Sequence, residues 1–335
     1  MRQVRPRANV FSLLRVVYIG RVPDLGIAVA LSRHRLAAVV SLRGRSLRAR
    51  ARAALDHRIR GRDAMARLAG EAGAAFWPTE DVNAPGLLRR IEALQPDLIL
   101  CGGWPQRFGA ALLGAAPLGC VNAHPSLLPR HRGPNPCAWV LLNGEPVSGL
   151  TFHRMTGSMD AGDVLAQVEV PVLAQDDAGS LLRRCLAAGV ALLPGLLGRL
   201  ERCEVAGFAQ DPAAGSCERQ PLARDVEVDF GLPTRVLHDR IRARLPSPGV
   251  RLRLGGRERA VLASLPLDAV TGSRPGDLVA SAGRFLRVAT SDGSLILETR
   301  RPSLAEVIRS SLRTGGGWER SRRGRSDSTG TAAEP

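Results

Sequence analysis

Short apolar runs alternate with amphipathic stretches through the first part of the chain. Residues 15–20, 37–42, 75–78 and 97–101 are brief runs rich in Val, Ile, Leu and Ala, and the first ends on a glycine. Between them, residues 24–34, 64–72 and 85–94 space their apolar side chains at helical intervals. A short continuous apolar run is the pattern of a strand buried on both faces. Its alternation with helical stretches predicts an α/β fold, a Rossmann-like parallel sheet with helices on both faces. Residues 118–121 read as the end of another strand, residues 149–155 as one more, and residues 180–200 as a long helix. Residues 210–223 are polar and carry Pro, Gly and Ser, which suits a linker. Beyond them the period shortens. Residues 250–254 alternate, Gly255 and Gly256 turn the chain, residues 259–262 resume, and residues 284–290 and 294–299 flank a hairpin turn at Ser291-Asp292-Gly293. The expected division is an α/β domain over 14–205, a linker over 206–222, a small β-rich domain over 223–313 and a disordered tail over 314–335.

Candidate chemistry concentrates between Val121 and Gln167. Asn122 and His124 stand two residues apart at a strand end, so both project to one face. Pro125 closes the ladder there, because it has no N–H to donate. In open α/β sheets, sites form just beyond the carboxyl ends of strands. Asp160 follows residues 149–155 in a loop flanked by Gly157 and Gly162. An amide can donate to an oxyanion, an imidazole can carry a proton, and a carboxylate sets the charge of its neighbour. The other histidines (His34, His57, His131, His153, His238) read as structural, and Asp163 reads as a turn residue. Gly102-Gly103-Trp104 marks another strand end, where two glycines let a flat ligand approach the backbone. The turn at Gly20 lacks G-x-G-x-x-G, so no dinucleotide cofactor is expected.

This block resembles the formyltransferase family that uses 10-formyltetrahydrofolate. The family pattern runs Asn-x-His, Ser-Leu-Leu-Pro, Arg-Gly, then Asp-x-Gly-Asp. It stands here as Asn122 and His124, then Ser126-Leu127-Leu128-Pro129, then Arg132-Gly133, then Asp160 to Asp163. The resemblance implies that Asn122, His124 and Asp160 are catalytic, that Ser126, Leu127, Leu128 and Pro129 line the folate site, and that Gly102, Gly103 and Trp104 help hold the pterin. It implies 10-formyltetrahydrofolate as formyl donor and an amine acceptor; the cysteine spacing gives no expectation of a metal. Residues 223–313 are similar to the OB-like C-terminal domain of the tRNA-acting members, including Val228-Asp229-Phe230 near its start. In the expected chemistry a protonated His124, its pKa raised by Asp160, and the Asn122 amide stabilise the oxyanion formed when the amine attacks.

Composition adds three points. The chain has 335 residues, enough for two domains. Its formal net charge of +16 favours an anionic partner such as initiator tRNA. All 47 basic residues are Arg, however, a skew of composition that halves the weight of that argument. The six cysteines show no C-x-x-C, which implies a reduced, cytoplasmic protein without structural zinc. The basic N-terminus lacks a cleavage pattern, and no run reads as long and apolar enough to span a membrane.

The acceptor is read as methionyl-tRNA, with a small amine such as an amino sugar or a specialised metabolite as the alternative. The basic charge, the β-rich module and the Arg-rich residues 43–62 favour tRNA. That Arg-rich stretch lacks the Pro-Ala-Gly-Arg-Gly expected of tRNA-acting members, and Pro134-Asn135-Pro136 replaces their usual Ala-Ala-Pro. A non-catalytic RNA-binding paralogue and a deformylating hydrolase are further alternatives. The intact Asn122, His124 and Asp160 speak against the first.

Overall fold

The structure is a computed structural model that describes residues 13–43, 64–246 and 249–301. The Arg-rich residues 44–62, His57 and the tail from 314 lie outside the described residues. Within them the chain runs β1 (Arg15–Gly20), α1 (Pro23–Leu31), β2 (Arg35–Leu42), α2 (Ala64–Glu71), β3 (Ala75–Thr79), α3 (Pro85–Ala93), β4 (Leu98–Gly102), α4 (Ala110–Leu113), β5 (Cys120–His124), α5 (Pro136–Leu142), β6 (Val147–Arg154), β7 (Val164–Pro171) and α6 (Ala178–Glu201). The seven strands form one sheet in the order β3-β2-β1-β4-β5-β6-β7.

Period-two alternation divides the core. Val16 and Tyr18 of β1 join Leu25 and Val29 of α1, Leu68 of α2 and Leu193 and Leu197 of α6 on one face. Val17 and Ile19 join Leu87 and Ile91 of α3 and Leu112 of α4 on the other. Both faces of the central strands are therefore covered, as their unbroken apolar runs require. Strand order reverses between β1 and β4, whose ends meet at Gly20 paired with Gly102. That reversal opens a crevice at the carboxyl edge of the sheet.

The sheet departs from the expected parallel arrangement at one end. β1 to β5 are parallel, but β6 runs antiparallel to both β5 and β7. After β5 the chain runs through the loop from Pro125 and the seven-residue α5, and Gly144, at φ +64°, turns it back into β6. α6 carries a second correction. It is long and apolar enough to cross a membrane, which the sequence reading denied for every run. Its apolar stripe is taken up by the sheet, with Leu181, Cys185, Leu193, Leu196, Leu197 and Leu200 buried.

A 3₁₀ turn (Ala223–Val226) leads to α7 (Thr234–Arg244) and five antiparallel strands, β8 (Val250–Leu254), β9 (Arg257–Leu267), β10 (Leu278–Ala282), β11 (Phe285–Ala289) and β12 (Ser294–Arg300), ordered β10-β11-β12-β9-β8. Leu237 and Ile241 of α7 close its core against Val261, Val288, Leu295 and Leu297. The segment read as a linker lies against the catalytic part. Phe208 exchanges two backbone hydrogen bonds with Val164, and Arg132 forms a bridge with Cys217.

Candidate active site

Asn122 and His124 end β5 beside β6, where Asn122 pairs in register with His153. The loop after β6 brings Asp160 back onto them. Gly162 permits this close return, since a Cβ there would lie 2.0 Å from the Arg154 carbonyl. Asp160 itself sits in the left-handed region at φ +48°, a strained conformation for a residue with a side chain. The three predicted catalytic residues therefore converge.

Hydrogen bonds define the roles of the two imidazoles. His124 is 5% exposed, and its Nε2–H donates to the His131 carbonyl at 2.8 Å. A carbonyl only accepts, so Nε2 carries the proton and Nδ1 is left facing Asp160 Oδ2 at 3.6 Å. His153 is buried, and its Nδ1–H donates to the Arg154 carbonyl at 2.9 Å. Its Nε2 stands 3.2 Å from the Asn122 amide nitrogen and 3.4 Å from Asp160 Oδ1. That nitrogen can serve one neighbour at a time. Neutral, it accepts from Asn122; protonated, it donates to Asp160.

Burial opposes charge on Asp160, but the His153 contact, the charges of the two histidines and the Gly133 N–H at 2.9 Å outweigh it and bring the carboxyl down to about 2. His124 goes the other way from expectation. Asp160 does push its pKa up, yet burial has the larger effect and the net direction is down. His124 therefore rests neutral in the free site, not protonated.

Two cavities meet at this cluster. One, of about 300 Å³, is walled by Trp104 to Phe108 after β4 and by Met155 to Asp160 after β6. The other, of about 510 Å³, is bounded by Val22, Pro136 and Ala138, by Leu182 and Leu186 of α6, and by Leu245 and Pro246 after α7. Trp104, Asn122, Pro134 and Asp160 line both. Both volumes suit small-molecule sites.

The remaining predicted residues divide. Gly103 and Trp104 line the larger cavity, while Gly102 packs, since a Cβ there would meet Leu25 and the Tyr18 hydroxyl at 2.7 Å. Ser126, Leu127, Leu128 and Pro129 are not among the residues lining either cavity. Their hydrogen bonds tie the loop to itself and to the sheet. Ser126 Oγ donates to the Arg130 carbonyl, the Leu128 N–H donates to Thr151 Oγ1, and Gln167 Nε2 donates to the Leu128 carbonyl. Sequence reasoning set aside His153; its place directly before the Asp160 loop was the signal available. Among the described residues no group of three or more His, Cys, Asp or Glu could hold a metal ion.

Residues 45–197 match the family described as Formyl transferase, and residues 223–309 match the Formyl transferase C-terminal domain. The chain is 33% identical over 252 residues to a methionyl-tRNA formyltransferase of Anaeromyxobacter dehalogenans, covering 75% of this chain and 81% of that protein. The chain belongs to the formyl transferase family. It is a formyl-group transferase, and its mostly parallel α/β sheet followed by an antiparallel β-rich domain is the formyltransferase fold. An N-formyltransferase from Helicobacter canadensis, solved with folinic acid and dTDP-3-aminofucose, shares that fold at a TM-score of 0.65 and 15% identity, over 86% of this chain and 100% of that one. HypX from Aquifex aeolicus, solved with tetrahydrofolic acid, superposes at a TM-score of 0.61 and 18% identity over 91% of this chain. The formyltransferase chain spans about half of HypX, 48% of its length.

Proposed function

We propose that this formyltransferase carries the formyl group of 10-formyltetrahydrofolate to the amine of methionyl-tRNA. The single observation that carries the acceptor reading is the wall of the larger cavity. It is built from Val22, Pro125, Pro136, Cys137, Ala138, Leu182, Leu186, Ala243, Leu245 and Pro246, and no Arg is among its described lining residues. An apolar side chain beside a reactive amine is favoured there. A nucleotide diphosphate would find no guanidinium partner in it. The name of the Anaeromyxobacter dehalogenans relative agrees with this reading.

The smaller cavity is assigned to the donor. Its walls are two loops, whose backbone groups suit the polar edge of a flat heterocycle, and Arg107 suits an anionic tail. Asn122 and Asp160 stand where the cavities join, so the formyl carbon is placed between them. The neutral amine attacks that carbon, and the carbonyl oxygen takes up the negative charge. One Asn122 N–H is held by His153, and the other donates to the oxyanion. His124, neutral at rest, takes the amine proton on Nδ1. The imidazolium that results pairs with Asp160. The same proton then passes to the departing folate nitrogen, the carbon–nitrogen bond to the folate breaks, and the formamide remains.

A second reading, a small-molecule amine, is favoured by Pro134-Asn135-Pro136. These residues depart from the tRNA-acting pattern and lie on the acceptor wall itself. The test is release of tetrahydrofolate from 10-formyltetrahydrofolate by the purified protein, alone, with methionyl-tRNA and with amino sugars. Release that needs methionyl-tRNA supports the first reading. Release with an amino sugar and none with methionyl-tRNA replaces it with the second.

A further inference from the structure

Asp160 works only if its strained loop stays over His124, and one side chain from outside the catalytic motif contacts that loop on two sides. Gln210 lies in the segment that joins the two domains. Its Nε2 donates to the Asp160 carbonyl at 2.9 Å and to the Gly162 carbonyl at 2.7 Å. Its Oε1 accepts from Arg132 Nε at 3.0 Å and from the second terminal nitrogen of Arg132 at 2.9 Å. Arg132 precedes Gly133, whose N–H holds Asp160 Oδ2. The amide therefore ties together the loop after β6, the loop after β5 and its own segment.

The segment is itself anchored on both sides of Gln210. Phe208 pairs with Val164 through two backbone hydrogen bonds. Further along, the Ser216 N–H donates to the Pro129 carbonyl, Ser216 Oγ accepts the His131 N–H at 2.8 Å, and the Glu218 N–H donates to the Arg132 carbonyl. His131 is the residue whose carbonyl holds His124. An anchored strap can transmit position to what it touches, whereas a free linker cannot.

We infer that Gln210 is a positioning residue, which holds the Asp160 carboxylate against His124 by clamping the two carbonyls of its loop to Arg132. The inference rests on the reading that Asp160 acts through His124. A side chain with both a donor pair and an acceptor is needed, and Gln supplies them at one end. Gln210→Met keeps the length and apolar stem and removes all four contacts. The left-handed Asp160 then loses the support that offsets its strain, and the carboxylate moves away from Nδ1.

The experiment is an NMR titration of the His124 ring in the substrate-free, full-length protein, with Tm measured alongside. Asp160→Asn supplies the reference, since it removes the charge that raises the His124 pKa. In Q210M the His124 pKa is expected to fall toward the value in Asp160→Asn, while Tm changes by only a few degrees. Formyl transfer is expected to lose about tenfold to a hundredfold in kcat, the scale of a 1 Å misplacement, with donor KM within about threefold. A His124 titration in Q210M equal to wild type, beside a shifted one in Asp160→Asn, overturns the role of Gln210. An unshifted titration in Asp160→Asn overturns the catalytic reading of Asp160 instead. Should Q210M fail to fold, Arg132→Met frees the Gln210 oxygen alone and is held to the same two outcomes with a smaller shift.

Discussion

Nδ1 of His124 faces Oδ2 of Asp160 at 3.6 Å, while its Nε2–H is held by the His131 carbonyl. The ring therefore has one nitrogen committed to structure and one directed at the carboxylate. Because the second is unprotonated at rest, it is a base that becomes an acid only after taking the acceptor's proton. The neighbouring carboxylate makes that proton affordable in a site whose burial opposes it.

This geometry predicts the pH profile. The His124 pKa lies below its ordinary value of about 6.5, so in the substrate-free protein the ring is expected to stay neutral as pH falls through 6.5 and to take up a proton only below it, as an NMR titration of its ring measures. A His124 ring that titrates above 6.5 in the substrate-free protein is incompatible with a neutral resting His124. Stability follows the same signs. Both groups bind protons less readily folded than unfolded. The contribution of His124 is complete above about 6.5 and lost as pH falls through its folded value. That of Asp160 is complete above about 3.9 and lost as pH falls toward about 2.

Replacing Asn122 by Ala removes the amide that faces both cavities. Loss of one oxyanion donor costs about 3 kcal/mol, or roughly 10²–10³ in kcat. Circular dichroism is expected to match wild type, because Asn122 is only half-buried. Turnover within a factor of three of wild type would remove Asn122 from the mechanism.

His153→Leu preserves volume and deletes the acceptor that orients Asn122. The Arg154 carbonyl also loses its donor, which costs about 1–3 kcal/mol of stability. In the folded fraction kcat is expected to fall about tenfold, less than for Asn122→Ala, since the amide remains but is no longer aimed. Steady-state kinetics corrected for the folded fraction measure this, and a loss equal to or greater than that of Asn122→Ala would show that His153 acts through more than the Asn122 amide, its contact with Asp160 being the other route.

Ala138→Phe fills the apolar cavity without lining the other one. Acceptor KM is expected to rise about tenfold or more while donor KM stays constant. Should donor KM rise instead, the assignment of the two cavities is reversed.

Gly133→Val tests the contact between strap and site. Gly133 has φ +101°, and a Cβ there would lie 2.2 Å from the Glu218 carbonyl oxygen, a backbone atom that cannot turn aside. Thermal unfolding is expected to show a loss of more than about 2 kcal/mol. An unchanged Tm would mean that the strap lies elsewhere in solution.

The chain's own order of residues determined a good deal. The central strands were legible because a strand buried on both faces must be apolar throughout, a property of consecutive residues. Asn122 and His124 were legible because alternation alone puts them on one face, and Asp160 because the motif carries it. Tertiary structure decided the rest. β6 runs antiparallel to its neighbours because the turn at Gly144 sends the chain back along β5, a pairing that no run of consecutive residues displays, and α7 is helical against a sheet that forms only later in the sequence. His153 enters the site through its pairing with Asn122, 31 residues away, and Gln210 through contacts 78 residues away with Arg132. The resting charge of His124 was beyond any reading of its neighbours in the chain. It depends on how much water the whole fold excludes from one ring, and burial is a sum over surfaces that meet only when the protein has folded.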